Sequence, residues 1–471
     1  MISERLQRLK YVAGDYITSS LAVLCYNCLR YSSGAVVGQS SLGQFLASPM
    51  TLTGQVVFPL AMMGIYCLSG YYNEVFRKSR LQELLLTMAT SVVSGLMIFF
   101  VALINDMVLD RKSNYETIAV LLALLFFMVY AVRAAITNQA SRRIKGRRWA
   151  FATLVVGSGR EAVAHVRRME QMRHSLGYDV KGFVNIPGER AVSAPGKPVY
   201  ELSELPQVCR QLGIKELIVA PSAHNPSTGL KVINSLFALN LPIKITPDRY
   251  SVLRSRARLS DLCGDPLIDI SGSGMGECAK NVKRCADVAV SAVMLLLLSP
   301  LYAAVAVAVK LDSPGSVFYS QERVGLHNRP FRIYKFRTMV QNAESGGRPQ
   351  LSSENDGRVT RVGRVLRKYR IDELPQFWNV LRGDMSLVGP RPERQYYVNQ
   401  ILEREPAYSL IHQIRPGITS MGMVKFGYAS SLDDMLRRVD YDLLYLENMS
   451  LLNDLKILAY TVRTVVTGKG V

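Results

Sequence analysis

The chain has 471 residues, enough for two or three domains, and sets 57 Lys and Arg against 37 Asp and Glu for a formal net charge of +20. Its mean hydropathy is still slightly positive at +0.12, which points to apolar segments separated by basic parts that face water or an anionic leaflet. No RNP, zinc-finger or helix-turn-helix signature accompanies the charge, so nucleic acid is not an expected partner. The seven cysteines show no recurring metal-ligand spacing. Cys25-Tyr-Asn-Cys28 lies in an apolar stretch without a βαβ context, so packing is expected there, not redox chemistry or disulfides.

Residues 1–140 read as a four-helix transmembrane module, with candidate spans at 15–36, 51–71, 84–105 and 117–136. The third has no charge between Glu83 and Asp106, long enough to cross a hydrocarbon core. The first is interrupted by Arg30, which must snorkel or face protein. Basic residues gather at the N-terminus, in the 77–80 loop (Arg77, Lys78, Arg80) and after the fourth span (Arg142, Arg143, Lys145, Arg147, Arg148), which places both ends of the module in the cytoplasm. No span is expected to carry a buried acid-base pair, so the module reads as an anchor or homodimerisation element and not as part of a transporter.

Residues 149–265 alternate between strand and helix. Ala152–Val156, Val180–Val184, Glu216–Ala220 and Leu241–Ile245 are apolar or β-branched runs with helical stretches between them, which predicts a Rossmann-like α/β sheet. Gly157-Ser-Gly159-Arg-Glu-Ala162 follows the first run and fits a phosphate-cradling turn. The acid expected after the second strand is missing, since Asn185 stands there, so an architectural or regulatory part is expected in place of dinucleotide chemistry. Residues 254–284 read as a glycine-rich linker.

An uncharged run from Val288 to Val309 follows, with Ser299-Pro300 at its middle. Proline removes a backbone hydrogen bond and clashes with the preceding turn, so a helix over 285–310 should bend there. Beyond it, Asp372 and Glu373 stand side by side between two basic clusters, Arg361, Arg364, Arg367, Lys368 and Arg370 on one side, Arg391 and Arg394 on the other. Adjacent carboxylates repel unless cations offset them. A carboxylate pair among arginines suits phosphoryl transfer, one acid as nucleophile and the cations on phosphate oxygens. The plain alternative is a solvated pair on an Arg-rich helix. Asp384 in Arg-Gly-Asp is expected to accept hydrogen bonds at a turn, and His327 and His412 show no ligand pattern.

These residues belong to an ordered run of motifs: Lys310-Leu-Asp-Ser-Pro-Gly, Phe331-Arg-Ile-Tyr-Lys335-Phe-Arg337-Thr-Met, Lys368-Tyr-Arg-Ile-Asp372-Glu373-Leu-Pro-Gln, Gly-Pro-Arg391-Pro, Arg415-Pro-Gly-Ile-Thr and Tyr441-Asp-Leu-Leu-Tyr. Over roughly 280–471 the run resembles the bacterial sugar transferases, specifically the monotopic polyprenyl-phosphate hexose-1-phosphate transferases. That resemblance implies a mixed, mainly α catalytic domain over 280–471, entered by a re-entrant membrane helix that breaks at Ser299 and Pro300; a plain fifth span is the alternative. It implies transfer of hexose-1-phosphate from a UDP-sugar to undecaprenyl phosphate with release of UMP, the first membrane step of exopolysaccharide, capsule or O-antigen glycan assembly.

In that scheme Asp372 is the nucleophile that forms a covalent sugar-phosphate. Glu373, with Asp372, holds Mg2+, or Glu373 acts as a base on the acceptor. Lys335, Arg337, Arg367 and Arg391 contact the diphosphate or nucleotide. The expected place is the bacterial inner membrane, with the catalytic domain cytoplasmic and in contact with bilayer lipid. One departure follows Thr419, where Ser420-Met-Gly-Met-Val-Lys-Phe-Gly-Tyr replaces the family's usual run and leaves the sugar unassigned. The rival is a membrane-anchored nucleotide sensor built on 149–265 with a silent C-terminal half, against which the Asp372-Glu373 pair and its cations stand.

Overall fold

The computed structural model describes residues 4–34, 36, 40–76, 78, 80–105, 111–172, 175–187, 192, 196–220, 232, 235–237, 239, 241–246, 268–269, 274–341, 343, 356–427, 429 and 431–466. Arg77 and most of the 254–273 part of the expected linker lie outside them. They form two compact units, 1–150 with 173–177, and 151–172 with 178–471.

The first unit holds four long helices, α1 (Glu4–Ser32), α3 (Pro49–Leu68), α4 (Arg80–Asn105) and α5 (Arg111–Lys145), with a short α2 (Leu42–Leu46) between the first two. Among the described residues three of these, α3, α4 and α5, are long and apolar enough to cross a membrane. α1 falls short because the face it turns inward carries Gln7, Asp15, Thr18, Ser19 and Asn27. Its buried neighbours Tyr11, Ala22, Val23 and Tyr26 join Met62, Ile98, Leu121, Leu125 and Val129 in one core.

The expectation that no span holds a buried acid-base pair is overturned. Arg133 of α5 donates from Nε and Nη2 to the two oxygens of Asp15 at 2.8 and 2.7 Å, with side-chain exposures of 0% and 1%. Nη1 of Arg133 reaches Thr87 of α4 at 3.0 Å, and the Tyr72 hydroxyl donates to Asp15 at 2.8 Å. The rings of Tyr66 and Tyr71 cover the guanidinium at 4.3 and 3.7 Å. Asp15 and Arg133 are 118 residues apart, and each lies near the end of its apolar run, so hydropathy along the chain does not betray them. A charge in the bilayer is stable only when paired, and here the pair ties α1 to α5.

In the second unit β1 (Phe151–Val156), β2 (Tyr178–Asn185), β3 (Val199–Glu201), β4 (Glu216–Val219), β5 (Ile243–Ile245) and β6 (Ile268–Asp269) form one sheet. Their order is β3-β2-β1-β4-β5-β6, parallel except for β6, which is the doubly wound arrangement expected. Period-two alternation sends Leu154 and Val156 into one apolar layer and Val155 into the other, the second covered by Ala162, Val166 and Met169 of α6 (Arg160–Gln171). Helix α7 (Leu205–Gln211) adds Leu205, Val208 and Cys209 to the first layer. Gly157 takes φ +120°, and a Cβ there would stand 2.3 Å from the Ala220 carbonyl oxygen. Ser158 is fully buried and donates to Asn185 Oδ1 at 2.8 Å, so the residue in place of the missing acid closes the glycine turn.

The apolar run after the linker forms two helices, α8 (Glu277–Leu297) and α9 (Ser299–Asp312), bent by 61° at the break. Pro300 stands in the first turn of α9, and Ser299 Oγ donates to the Leu296 carbonyl at 2.8 Å. Both arms are tied to the same globular part. From α8, Lys283 pairs with Asp454 at 2.6 Å, Arg284 donates to the Val380 carbonyl at 2.8 Å, and Asp287 accepts from Ser386 Oγ at 2.7 Å. From α9, the Tyr302 hydroxyl donates to the Leu374 carbonyl at 2.7 Å and Asp312 accepts from Val362 N at 3.0 Å. Near the bend, Val293, Leu296 and Leu297 are exposed.

Candidate active site

The Asp372-Glu373 pair is placed by a helix that is stopped on purpose of geometry. α10 (Arg361–Lys368) starts at a Thr360 cap, whose Oγ1 accepts from Gly363 N at 3.0 Å. Gly363 lies so close to the strand end that a Cβ would meet the Thr338 carbonyl oxygen at 2.1 Å. The chain then takes a left-handed step at Arg370, φ +54°, which ends the helix. Ile371–Glu373 form one 3-10 turn before α11 (Gln376–Arg382) begins. Within that turn Asp372 is 8% and Glu373 6% exposed.

Two other segments complete the site. β7 (Phe318–Val324) and β8 (Pro330–Phe336) form an antiparallel hairpin that carries Lys335 opposite Tyr319. β9 (Ser386–Val388) pairs in parallel with β10 (Gly417–Thr419). Where they meet, a Cβ on Gly389 would lie 2.3 Å from the Arg415 carbonyl oxygen, and one on Gly417 would lie 2.1 Å from Gly389 N. Glycine in Gly-Pro-Arg-Pro and in Arg-Pro-Gly-Ile-Thr is therefore a packing necessity that fixes the turn bearing Arg391.

Glu373 is the hub. Its Oε1 accepts from Lys335 Nζ at 2.7 Å and from Arg391 Nη1 at 3.5 Å, and its Oε2 accepts from Arg370 Nε at 3.0 Å and from Arg370 Nη2. Burial works against its charge, yet Arg370, Lys335 and Arg391 outweigh it and hold the carboxyl well below the usual range. Asp372 accepts no hydrogen bond from the described residues. Burial, with the charge of Glu373 adding, pushes its carboxyl up to about 6, while Lys335, Arg367 and Arg370 pull the other way. Two neighbouring acids thus differ sharply, the usual mark of divided roles.

The structure brings Lys335 and Arg391 onto Glu373 and sets Arg367 near Asp372, its Nε donating to Thr338 Oγ1 at 3.0 Å. Arg337 goes elsewhere. Its Nη1 donates to the Pro314 carbonyl at 2.7 Å and its Nη2 to the Ser313 carbonyl at 2.7 Å and the Val309 carbonyl at 3.3 Å. It gathers the carbonyls at the end of α9, and Ser299 and Pro300 lie at the far bend of the same helical pair. Asp384 follows the left-handed Gly383 and accepts from Asn379 Nδ2 at 3.3 Å, a turn contact as expected.

A small cleft beside Glu373 is lined by Arg323, Ile333, Lys335, Glu373, Gln376, Arg391, Pro392 and Gly417, with Asp372 outside its lining. Several of its supports are not signalled by sequence spacing. Met423, inside the departing Ser420–Tyr428 run, offers its sulfur to Arg391 Nη1 at 3.1 Å. It belongs to α13 (Met421–Lys425), after α12 (Gln395–Arg404), and Gly422 N of this helix donates to the buried Asp442 at 3.0 Å. Asp442 stands on α14 (Leu432–Glu447), which precedes α15 (Leu451–Val466). Burial pushes its carboxyl up to about 6 against the Gly422 amide and Arg438. Glu393 bridges Arg323, at 3.4 Å, and Arg438 beneath the Arg391 turn.

Among the described residues no group of three or more His, Cys, Asp or Glu converges as a ready metal cage. The pair still suits Mg2+, which takes one or two carboxylates together with substrate phosphates and water. Asp372 has uncommitted oxygens, whereas Glu373 has both engaged by cations.

The sequence pattern of the family named "Bacterial sugar transferase" matches residues 278–468, the part that holds this site. Among similar proteins, a UDP-N-acetylgalactosamine-undecaprenyl-phosphate N-acetylgalactosaminephosphotransferase of Aeromonas hydrophila is 50% identical over 40% of this chain and 44% of its own length. Two proteins named UDP-glucose:undecaprenyl-phosphate glucose-1-phosphate transferase also align. That of Caulobacter vibrioides is 43% identical over 39% of this chain and 70% of its own length. That of Klebsiella pneumoniae is 28% identical over 86% and 88%. The chain belongs to the bacterial sugar transferase family. It spans less than half the length of the Aeromonas relative and most of the Klebsiella one.

Proposed function

We propose that the protein moves a sugar 1-phosphate from a UDP-sugar to undecaprenyl phosphate at the cytoplasmic face of the bacterial inner membrane. The observation that carries this reading is the division of labour in one turn: Glu373 bound by Lys335, Arg370 and Arg391, and Asp372 buried beside them without a hydrogen bond from the described residues.

In the first half-reaction an Asp372 oxygen attacks the β-phosphorus of the UDP-sugar. The bond from that phosphorus to the bridging oxygen breaks, UMP leaves, and a sugar-phosphoryl group is held as an acyl phosphate on Asp372. In the second, a phosphate oxygen of undecaprenyl phosphate attacks the same phosphorus, the bond to Asp372 breaks, and undecaprenyl diphosphate-sugar departs. Lys335 and Arg391 neutralise the diphosphate oxygens, and Arg367 keeps a positive field around Asp372 as charge moves onto UMP. Arg370, held in its left-handed turn, stays on Glu373 and keeps the turn in place. Asp372 and Glu373 would hold Mg2+ together with the diphosphate, Glu373 freeing an oxygen as Lys335 or Arg391 passes to the substrate; the ion supplies charge neutralisation at the phosphates.

The helical pair supports a re-entrant element. Between Asp287, which is bonded to the globular part, and the break, the 288–298 stretch is roughly 16 Å long at 1.5 Å per residue. Bent by 61°, a V with both ends at one level tilts each arm so that its tip lies about 8 Å deep, roughly a quarter of a hydrocarbon core of ~30 Å. A wedge of that depth reaches the lipid tail region and returns, which leaves Asp372 near the interface where the lipid phosphate and a soluble nucleotide-sugar can meet. The test is UMP release from a panel of UDP-sugars, by wild type and Asp372→Asn, with and without undecaprenyl phosphate. Release by wild type with one sugar and none by the variant is expected. No release from any UDP-sugar by folded wild type would reject the donor class.

A further inference from the structure

The last turns of α5 carry a groove of about 520 Å3 lined by Ala135, Asn138, Gln139, Arg142, Arg143 and Arg148. None of the three arginines has a carboxylate partner among the described residues, so the groove concentrates uncompensated positive charge. Its shape is imposed by the backbone. Arg147 takes a left-handed conformation, φ +56°, which is disfavoured for a residue with a side chain. Arg148 N and Trp149 N both donate to the Arg143 carbonyl, at 2.9 and 3.1 Å. The chain is thereby folded back across the helix end, and Arg148 joins Arg142 and Arg143.

Two further features fix depth and direction. The Arg143 guanidinium stacks 4.9 Å from the Trp149 ring, which meets Phe76 edge-on at 5.8 Å. Tryptophan with arginine is the combination that settles at lipid headgroup level. From the groove toward the middle of α5, Ala135, Ala131, Phe127 and Ala123 are exposed at four-residue intervals. They make an apolar strip, mostly of small side chains, on the same helix face.

We propose that this groove binds the phosphate-bearing headgroup of an anionic membrane lipid. The phosphate lies among Arg142, Arg143 and Arg148, the amides of Asn138 and Gln139 meet headgroup oxygens, and an acyl chain follows the strip from Ala135 to Ala123. It shares no residue with the site around Asp372 and Glu373 and rests on the reading that α5 crosses the bilayer.

The experiment titrates the full-length protein in a neutral detergent with dioleoylphosphatidylglycerol or dioleoylphosphatidylcholine and counts bound lipid by native mass spectrometry. Three proteins are compared: wild type, Arg142→Gln/Arg148→Gln, and Arg5→Gln/Lys10→Gln, which removes equal charge from the start of α1. Wild type should hold one phosphatidylglycerol in preference to phosphatidylcholine. The groove variant should lose roughly tenfold or more of that preference, the scale expected for two interfacial charges. The α1 variant should keep it, and all three should release UMP alike, which shows that they are folded. Equal loss in both variants means diffuse charge and overturns the proposal, as does no loss in either. Displacement of the lipid by millimolar inorganic phosphate, with the same arginine dependence, would mean that the groove takes free phosphate and not a lipid. Extraction of the wild type from membranes by alkaline carbonate would instead overturn the span on which the proposal rests.

Discussion

Lys335 Nζ lies 2.7 Å from Glu373 Oε1, and the adjacent Asp372 receives no such bond. The ammonium that the sequence motif assigns to substrate is parked on the carboxylate next to Asp372, the proposed nucleophile. Glu373 should therefore be the residue on which the site depends for its stability. Glu373→Gln leaves Lys335, Arg370 and Arg391 crowded around a neutral amide, and breaking a buried pair typically costs ~3–5 kcal/mol. Thermal unfolding in detergent should fall by several degrees, with UMP release reduced by about a hundredfold or more as those cations are misplaced. An unchanged melting temperature would remove Glu373 from its place as hub.

Asp372→Asn should behave in the opposite way. Burial raises the Asp372 carboxyl to about 6, so its share of folded stability is fully present below the ordinary carboxylate range and lost as pH rises through about 6. At neutral pH the amide removes that cost. The variant should be inactive yet melt at or above the wild-type temperature. A clearly lower melting temperature would mean that the ionised carboxylate stabilises the fold.

The same carboxyl must be ionised to attack phosphorus. Formation of the sugar-phosphoryl enzyme in a single turnover should decline as pH drops through about 6 and level off above it. Removing the negative charge of Glu373 takes away one of the influences that raises Asp372, so the residual activity of Glu373→Gln should have its midpoint at lower pH. A shift upward, or no pH dependence between 5 and 7, would mean that Asp372 is not the titrating nucleophile.

Arg337 and Arg391 should separate cleanly. Arg337 binds the carbonyls of Val309, Ser313 and Pro314, so Arg337→Gln should lower thermal stability and leave KM for the UDP-sugar nearly unchanged. Arg391 faces the cleft, so Arg391→Gln should raise that KM about tenfold or more with a smaller effect on melting. Reversed outcomes would put Arg337 on the substrate.

In the first unit, Asp15→Ala strands Arg133 in the bundle and should cost ~3–5 kcal/mol, whereas Asp15→Leu combined with Arg133→Met should recover most of that loss. Detergent unfolding of the single and double variants checks this. Equal damage in both would mean that the charges serve something other than pairing.

Much of this was legible in the chain itself. The β-branched runs gave four strands of the sheet, Ser299-Pro300 marked the bend, and Lys335, Arg391 and the Asp372-Glu373 turn stood in contiguous motifs. What escaped depends on distance along the chain. Asp15 and Arg133 disturb only the ends of their apolar runs, and nothing local pairs α1 with α5. Arg337 sits two residues from Lys335 with the same charge, and the pleat alone would put both on one face, but β8 ends at Phe336 and the chain beyond it sends Arg337 toward the end of α9. Met423 carries no charge at all, and its place beside Arg391 comes from Asp442 holding the Gly422 amide on another helix.

The most direct test of the central claim is capture of the covalent intermediate. The enzyme is mixed with a UDP-sugar labelled in its β-phosphate, without lipid acceptor, and quenched for intact-protein mass and peptide mapping. One sugar-phosphoryl group per chain on Asp372, formed with a stoichiometric burst of UMP and discharged on adding undecaprenyl phosphate, is the predicted result. Full product formation on adding both substrates, with no labelled protein at any time and no loss in Asp372→Asn, would contradict it.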